Sequence, residues 1–307
     1  MRAAIGRRKG RMETERRLSR FRDLELWPLE ELLEGLWTHS QKALAAVGWA
    51  LPALAGAVRE AARRLERGRG RLVYSGAGTS GRVAVQDGVE LVPTFSWPRE
   101  RLAFLLAGGE VALTTAVEGA EDDARAGRDG IRALVLGPED VHVAVAASGT
   151  TPFTLAAQEA AREAGALTIA LACNADAPLL AGAHCPILLP TGAEALAGST
   201  RLNAATAQKI ALNLFSTALM VRLDRVAQGM MVALSPTSRK LRRRALAILR
   251  ELTGASEPAC REALERAGGD LRRAMAHILA HQPAREPGSI PVQSERAPRS
   301  SGRRRTR

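Results

Sequence analysis

The chain has 307 residues, 46% of them hydrophobic, enough to bury a large core in one domain or in one large and one small domain. One Tyr, five Phe and four Trp argue against the stacking platforms of single-strand nucleic-acid binders, and the three cysteines, Cys173, Cys185 and Cys260, lack C-x-x-C spacing and argue against a disulfide framework or a zinc site. The formal charge of +12 lies entirely in the ends: residues 1–22 carry nine Lys and Arg against two Glu, and residues 283–307 carry seven Arg against two Glu. The body between them therefore has no basic excess of the kind a nucleic-acid-binding domain shows. No uninterrupted apolar run reaches the roughly 18 residues of a membrane span, and the N-terminus lacks the apolar stretch of a secretory signal, so a cytoplasmic location is expected.

Residues 28–67 read as two helices, from the apolar spacing of Leu29, Leu32, Leu33, Leu36 and Trp37 and then of Leu54, Val58, Ala62 and Leu65. A short strand over 71–75 follows, then a helix over about 80–90. Residues 91–99 read as a proline-bounded loop. Next come a strand at 101–106, a helix over about 121–135, a strand at 141–146, a helix over about 152–164, a strand at 167–172, another near 186–189 and a long helix from about 200 to 224. Continuous apolar strands alternating with helices indicate an α/β fold, a doubly wound parallel sheet covered on both faces. After about residue 239 the pattern changes to short helices joined by glycine turns. The division is a basic N-terminal tail at 1–22, an α/β domain with its N-terminal helices at 23–235, a small helical module at 236–282, and at 283–307 a Pro-, Ser- and Arg-rich tail with too few apolar residues to fold.

The most informative stretch is Leu72 to Arg82, where a strand runs into Gly76-Ala77-Gly78-Thr79-Ser80-Gly81 and then a helix. Such a loop presents backbone N–H groups and hydroxyls at a helix N-terminus, where the helix dipole also favours an anion. Gly76, Gly78 and Gly81 also spell the dinucleotide fingerprint, but no acidic residue ends a second strand about 20 residues on to hold a ribose. A tight strand-to-helix turn without a ligand is the third reading. Two further hydroxyl-rich helix starts favour a phosphorylated small molecule: Ser148-Gly149-Thr150-Thr151 after the strand at 141–146, and Gly198-Ser199-Thr200-Arg201 before the long helix. Each alone is an ordinary cap. Together, at strand ends of one sheet, they converge on one pocket.

The G-A-G-T-S-G-R at 76–82 and S-G-x-T at 148–151 resemble the two phosphate loops of the sugar isomerase (SIS) domain. More narrowly, Asp87-x-x-Glu90-x-x-Pro93-Thr94, the A-V-E-G-A-E-D-D of 116–123, and Gly198-Ser199-Thr200-Arg201 with Thr206-Ala207-Gln208-Lys209 resemble the N-acetylmuramic acid 6-phosphate etherase family over residues 12 to 281. The resemblance implies a carbon–oxygen lyase of peptidoglycan recycling that releases D-lactate, a sugar-phosphate substrate, no metal or other cofactor, a homodimer, and a small C-terminal module like a ubiquitin-associated domain. It implies Glu90 as the acid that protonates departing lactate and Glu121 as the second catalytic carboxylate. It also implies Gly78, Thr79, Ser80, Ser148, Gly149, Thr151, Ser199 and Thr200 as substrate and phosphate ligands. Glu118, one turn before Glu121, is a possible substitute. Thr150 and Asn203 stand where the family has Arg and Lys. A non-catalytic sugar-phosphate sensor of the glucokinase regulatory protein type is the alternative, and retention of both glutamates argues against it. His277 and His281 lie four apart on a helix, a spacing able to hold a metal, with no third ligand nearby in sequence.

Overall fold

The computed structural model describes residues 12–232 and 239–281; the C-terminal tail and the boundary placed at 235 and 236 lie outside the described residues. A five-stranded parallel sheet forms the centre, from β1 (Leu72–Gly76), β2 (Leu102–Leu106), β3 (Val141–Val145), β4 (Leu167–Ala172) and β5 (Cys185–Leu188), in the order β2-β1-β3-β4-β5. β1, β3 and β4 are buried along their whole length, which is why they read as mainly apolar runs, broken only by Ser75, His142 and Thr168. In register, Gly76 faces both Leu106 and Val145, and Val145 faces Leu171, so four strands end level with one another. The order reverses between β1 and β3, and ligands of open parallel sheets bind beyond such a switch point.

One face of the sheet carries α1 (Leu29–Leu65), α2 (Gly78–Val89), α3 (Leu91–Phe95) and α7 (Asn203–Arg222), sharing a core of Val47, Leu54, Val58, Tyr74, Val143, Ile169 and Phe215. The other carries α4 (Ala124–Ala133), α5 (Pro152–Glu163) and α6 (Pro178–Ala181) over smaller clusters rich in alanine. A two-stranded hairpin, β6 (Val226–Ala227) and β7 (Met230–Met231), leads to α8 (Arg239–Thr253), α9 (Glu257–Arg266) and α10 (Leu271–His281). These three helices have their own core of Ala245, Leu249, Cys260, Ala263, Leu271 and Ala274, which Val232 joins.

The structure corrects three expectations. Residues 28–67 hold one helix, not two, because the buried face of α1 continues on both sides of Pro52, through Ala43, Val47, Ala50, Leu54 and Ala57. Pro52 is exposed, so its ring faces solvent, and packing against α7 and the sheet outweighs the hydrogen bond it removes. Residues 91–95 form the short α3 rather than loop, ended by Ser96 in a left-handed conformation, φ +48°. Finally, residues 12–22, assigned by charge to a tail, pack on the domain and bury Thr14 and Phe21, with the Phe21 ring edge-on to His39 at 4.9 Å. By length and composition α1 could cross a membrane, but its buried face is part of the domain core.

Candidate active site

Two glycines bring the first loop close to the sheet. A Cβ on Gly76 would lie 2.8 Å from the Val145 carbonyl oxygen and 2.9 Å from Gly81 Cα, and one on Gly81 would lie 2.2 Å from Leu106 Cδ1. Their absence lets α2 start directly over the end of β1. Its N-cap, Ala77, has no acceptor on its side chain, so the first amides of the helix have no side-chain capping partner. The hydroxyl of Ser80 points inward instead. It donates to Gln208 Oε1 at 2.9 Å and accepts the Ala147 amide at 3.3 Å, tying the β1 loop to α7 and to the β3 loop. Thr79 is half-buried and lines the cavity with Gly78.

After β3, Ser148 and Thr151 lie with their hydroxyl oxygens 3.5 Å apart, and Ser148 Oγ accepts the Thr150 amide at 3.2 Å. Thr151 is the N-cap of α5, but its side chain makes no capping bond. The buried Gly149 has φ +70°, and a Cβ there would strike Ala177 at 2.4 Å. Ser199 and Thr200 are half-exposed in the turn before α7, whose first amides are held elsewhere: the Glu194 carboxylate accepts Asn203 N at 2.9 Å and Ala204 N at 2.8 Å. Burial pushes the Glu194 carboxyl upward, against those two bonds. The Asn203 amide turns into the fold and donates to the His39 carbonyl at 3.2 Å, whereas Thr150 stays exposed.

A cavity of about 260 Å³ opens beside the first loop, lined by Gly78, Thr79, Arg82, Glu118 and Glu121 among others. Glu121 sits in a 3-10 turn, Ala120–Asp122, behind the left-handed Gly119. The loop that carries it is anchored by Arg82, which donates to Ala112 O at 2.8 Å and Thr115 O at 3.2 Å. Glu118 and Glu121 thus share a cavity with the uncapped start of α2. Glu90 does not join them: it is exposed at the C-cap of the same helix, about 18 Å along the axis at about 1.5 Å per residue. Its end of α2 is held by Asp87, one turn earlier, which accepts from Asn213 at 2.7 Å, Ser216 at 3.1 Å and Tyr74 at 3.3 Å. Burial raises the Asp87 carboxyl, against the lowering effect of those bonds and of Lys209.

Several residues that shape this site have roles that a sequence reading does not show, even where a motif includes them. Arg82 belongs to the loop motif but serves as a clamp on backbone carbonyls. Gln208, Asn174 and Thr14 act through contacts more than 100 residues away in the chain, and no local periodicity could reveal them. In the C-terminal module the rings of His277 and His281 lie 4.3 Å apart, and among the described residues no group of three or more potential ligands could hold a metal ion.

Comparison with known proteins bears on this geometry. The family model for the glucokinase regulatory protein N-terminal SIS domain matches residues 53–162, that for the SIS domain residues 123–218, and that for a UBA-like domain residues 244–285. A protein of Deinococcus radiodurans named N-acetylmuramic acid 6-phosphate etherase is 50% identical over 258 residues, 84% of each chain. Proteins of the same name from Thermobifida fusca and Pectobacterium atrosepticum are 44% and 43% identical, over 88% and 82% of each chain.

Proposed function

The chain belongs to the N-acetylmuramic acid 6-phosphate etherase family, and from that premise we propose how its residues divide the work. It is a carbon–oxygen lyase, cleaving the D-lactyl ether of N-acetylmuramic acid 6-phosphate to N-acetylglucosamine 6-phosphate and D-lactate. The observation that carries the assignment of the site is the cavity in which Glu121 shares walls with Gly78 and Thr79 at the uncapped start of α2. The 6-phosphate accepts from the amides at that helix start and from Thr79, with Ser148 and Thr151 across the switch point.

In the open-chain sugar the aldehyde at carbon 1 acidifies the proton on carbon 2. Glu121 takes that proton, the carbon 3–oxygen bond breaks with its electrons, and an acid delivers a proton to the departing lactate oxygen. Water then adds to carbon 3 of the unsaturated aldehyde while carbon 2 regains its proton. The acid is Glu90. Because Glu90 and Glu121 lie at opposite ends of the machinery of one chain, the pair forms when Glu90 of a second copy reaches the cavity. Support for a homodimer comes from α1, whose outer face exposes Leu29, Leu33, Trp37, Leu44, Trp49 and Leu51, with the two Trp side chains 69% and 64% exposed. The reaction is placed in the cytoplasm, where sugar phosphates are available.

Incubating the protein with N-acetylmuramic acid 6-phosphate and assaying D-lactate tests the activity directly. Glu90→Gln should release none yet still exchange the carbon 2 proton with solvent deuterium, and Glu121→Gln should do neither. Full activity in both variants would overturn the assignment.

A further inference from the structure

The segment just before α1 touches two of the three hydroxyl-rich loops. Thr14 is wholly buried although Glu13, Glu15, Arg16 and Arg17 around it are exposed. Its amide donates to Asn174 Oδ1 at 3.4 Å, its hydroxyl accepts from Asn174 Nδ2 at 3.3 Å, and its carbonyl accepts the Gly198 amide at 3.2 Å. Asn174, just beyond β4 and itself buried, also donates through Nδ2 to the carbonyls of Ser148 at 3.1 Å and Ala147 at 3.4 Å. One threonine and one asparagine therefore connect the Ser148–Thr151 loop to the turn holding Ser199 and Thr200. Two side contacts extend the link. Thr150 Oγ1 lies 3.8 Å from Met12 Sδ. A Cβ on Gly198, at φ +76°, would lie 3.0 Å from the Glu15 carboxylate, so glycine there lets the segment approach.

We propose that residues 12–15 are a wall of the sugar-phosphate site, and that Thr14 and Asn174 are positioning residues which fix the Ser148 loop against the Gly198 turn for substrate binding. This rests on the etherase reading. The Thr14 amide and carbonyl bridge the two loops, and its hydroxyl fixes the orientation of the Asn174 amide between them, a role on which substrate binding depends and stability depends little. When that hydroxyl is removed, Asn174 Nδ2 keeps two carbonyl acceptors, so no buried donor is orphaned.

The test compares wild type, Thr14→Val, Thr14→Ser and a chain lacking residues 1–15, reading the Kd for N-acetylglucosamine 6-phosphate, KM and kcat for lactate release, and Tm. Thr14→Val should raise Kd and KM about tenfold with kcat and Tm close to wild type; Thr14→Ser should restore both, and the shortened chain should bind more weakly still. Wild-type affinity in both Thr14→Val and the shortened chain, with lactate release intact, overturns the positioning role and leaves the etherase reading standing. Weaker binding in Thr14→Val alongside a wild type that binds the sugar phosphate but releases no lactate supports the positioning role and overturns the etherase reading instead.

Discussion

The loops after β1 and β3 are alike in composition and opposite in how their serines are held. In the first, Ser80 is buried, 8% exposed, and its hydroxyl is spent on Gln208 and Ala147, so the groups left for a ligand are the helix-start amides and Thr79. In the second, Ser148 and Thr151 are half-exposed, with their hydroxyls turned towards each other. A serine in a glycine-rich loop is therefore not a ligand by virtue of its type. Burial and partners decide whether it binds substrate or holds the loops that do.

The largest effect should come from the exposed pair. Ser148→Ala removes a hydroxyl proposed to bond a charged group, at a cost of about 1.5–3 kcal/mol, so KM should rise by roughly one to two decades with Tm unchanged. Ser80→Ala should act the other way round. It leaves the buried Gln208 Oε1 and Ala147 N–H without a partner, costing about 1–3 kcal/mol of stability, and calorimetry should show a lower Tm with a smaller change in KM. A Ser80→Ala chain of wild-type Tm and greatly raised KM would break the contrast.

A pH-dependent effect should appear beneath the loops. His142 on β3 shares a 2.8 Å hydrogen bond with Ser75 on β1, joining the two strands that carry them. Burial brings its pKa down to about 3 from the ordinary 6.5. Below pH 6.5 the unfolded chain binds a proton that the folded chain refuses, so this contribution to stability is present above 6.5 and is lost progressively as pH falls towards 3. Thermal unfolding across that window should show the decline, and His142→Gln should show a shallower one. Identical slopes would place the acid sensitivity elsewhere.

Much of the fold was legible in the sequence because the central parallel strands are buried on both sides and read as mainly apolar runs, the first of them ending in Gly76. Apolar spacing divides α1 into two stretches where the buried face in fact runs on, and Pro52 within it does not break the helix because packing holds both sides. The segment at 12–22 was misread because charge counts are blind to two buried residues, Thr14 and Phe21, among many exposed ones. The hairpin of β6 and β7, two residues per strand, is too short to leave a pattern. In the site, the loops were visible as motifs, but the inward turn of Ser80 and of Asn203 depends on Gln208 and His39, which sequence order hides. The separation of Glu90 from Glu121 was equally hidden, because a motif does not say how far apart the fold holds its residues.

That separation carries the central claim, that one working site draws Glu121 from one copy and Glu90 from another. Glu90→Gln and Glu121→Gln chains, each inactive alone, can be mixed, allowed to exchange subunits, and assayed for D-lactate from N-acetylmuramic acid 6-phosphate. A shared site in a symmetric dimer predicts recovery to about a quarter of wild-type activity, because half the dimers are mixed and each holds one intact pair. Subunit exchange without any recovered lactate release would contradict it.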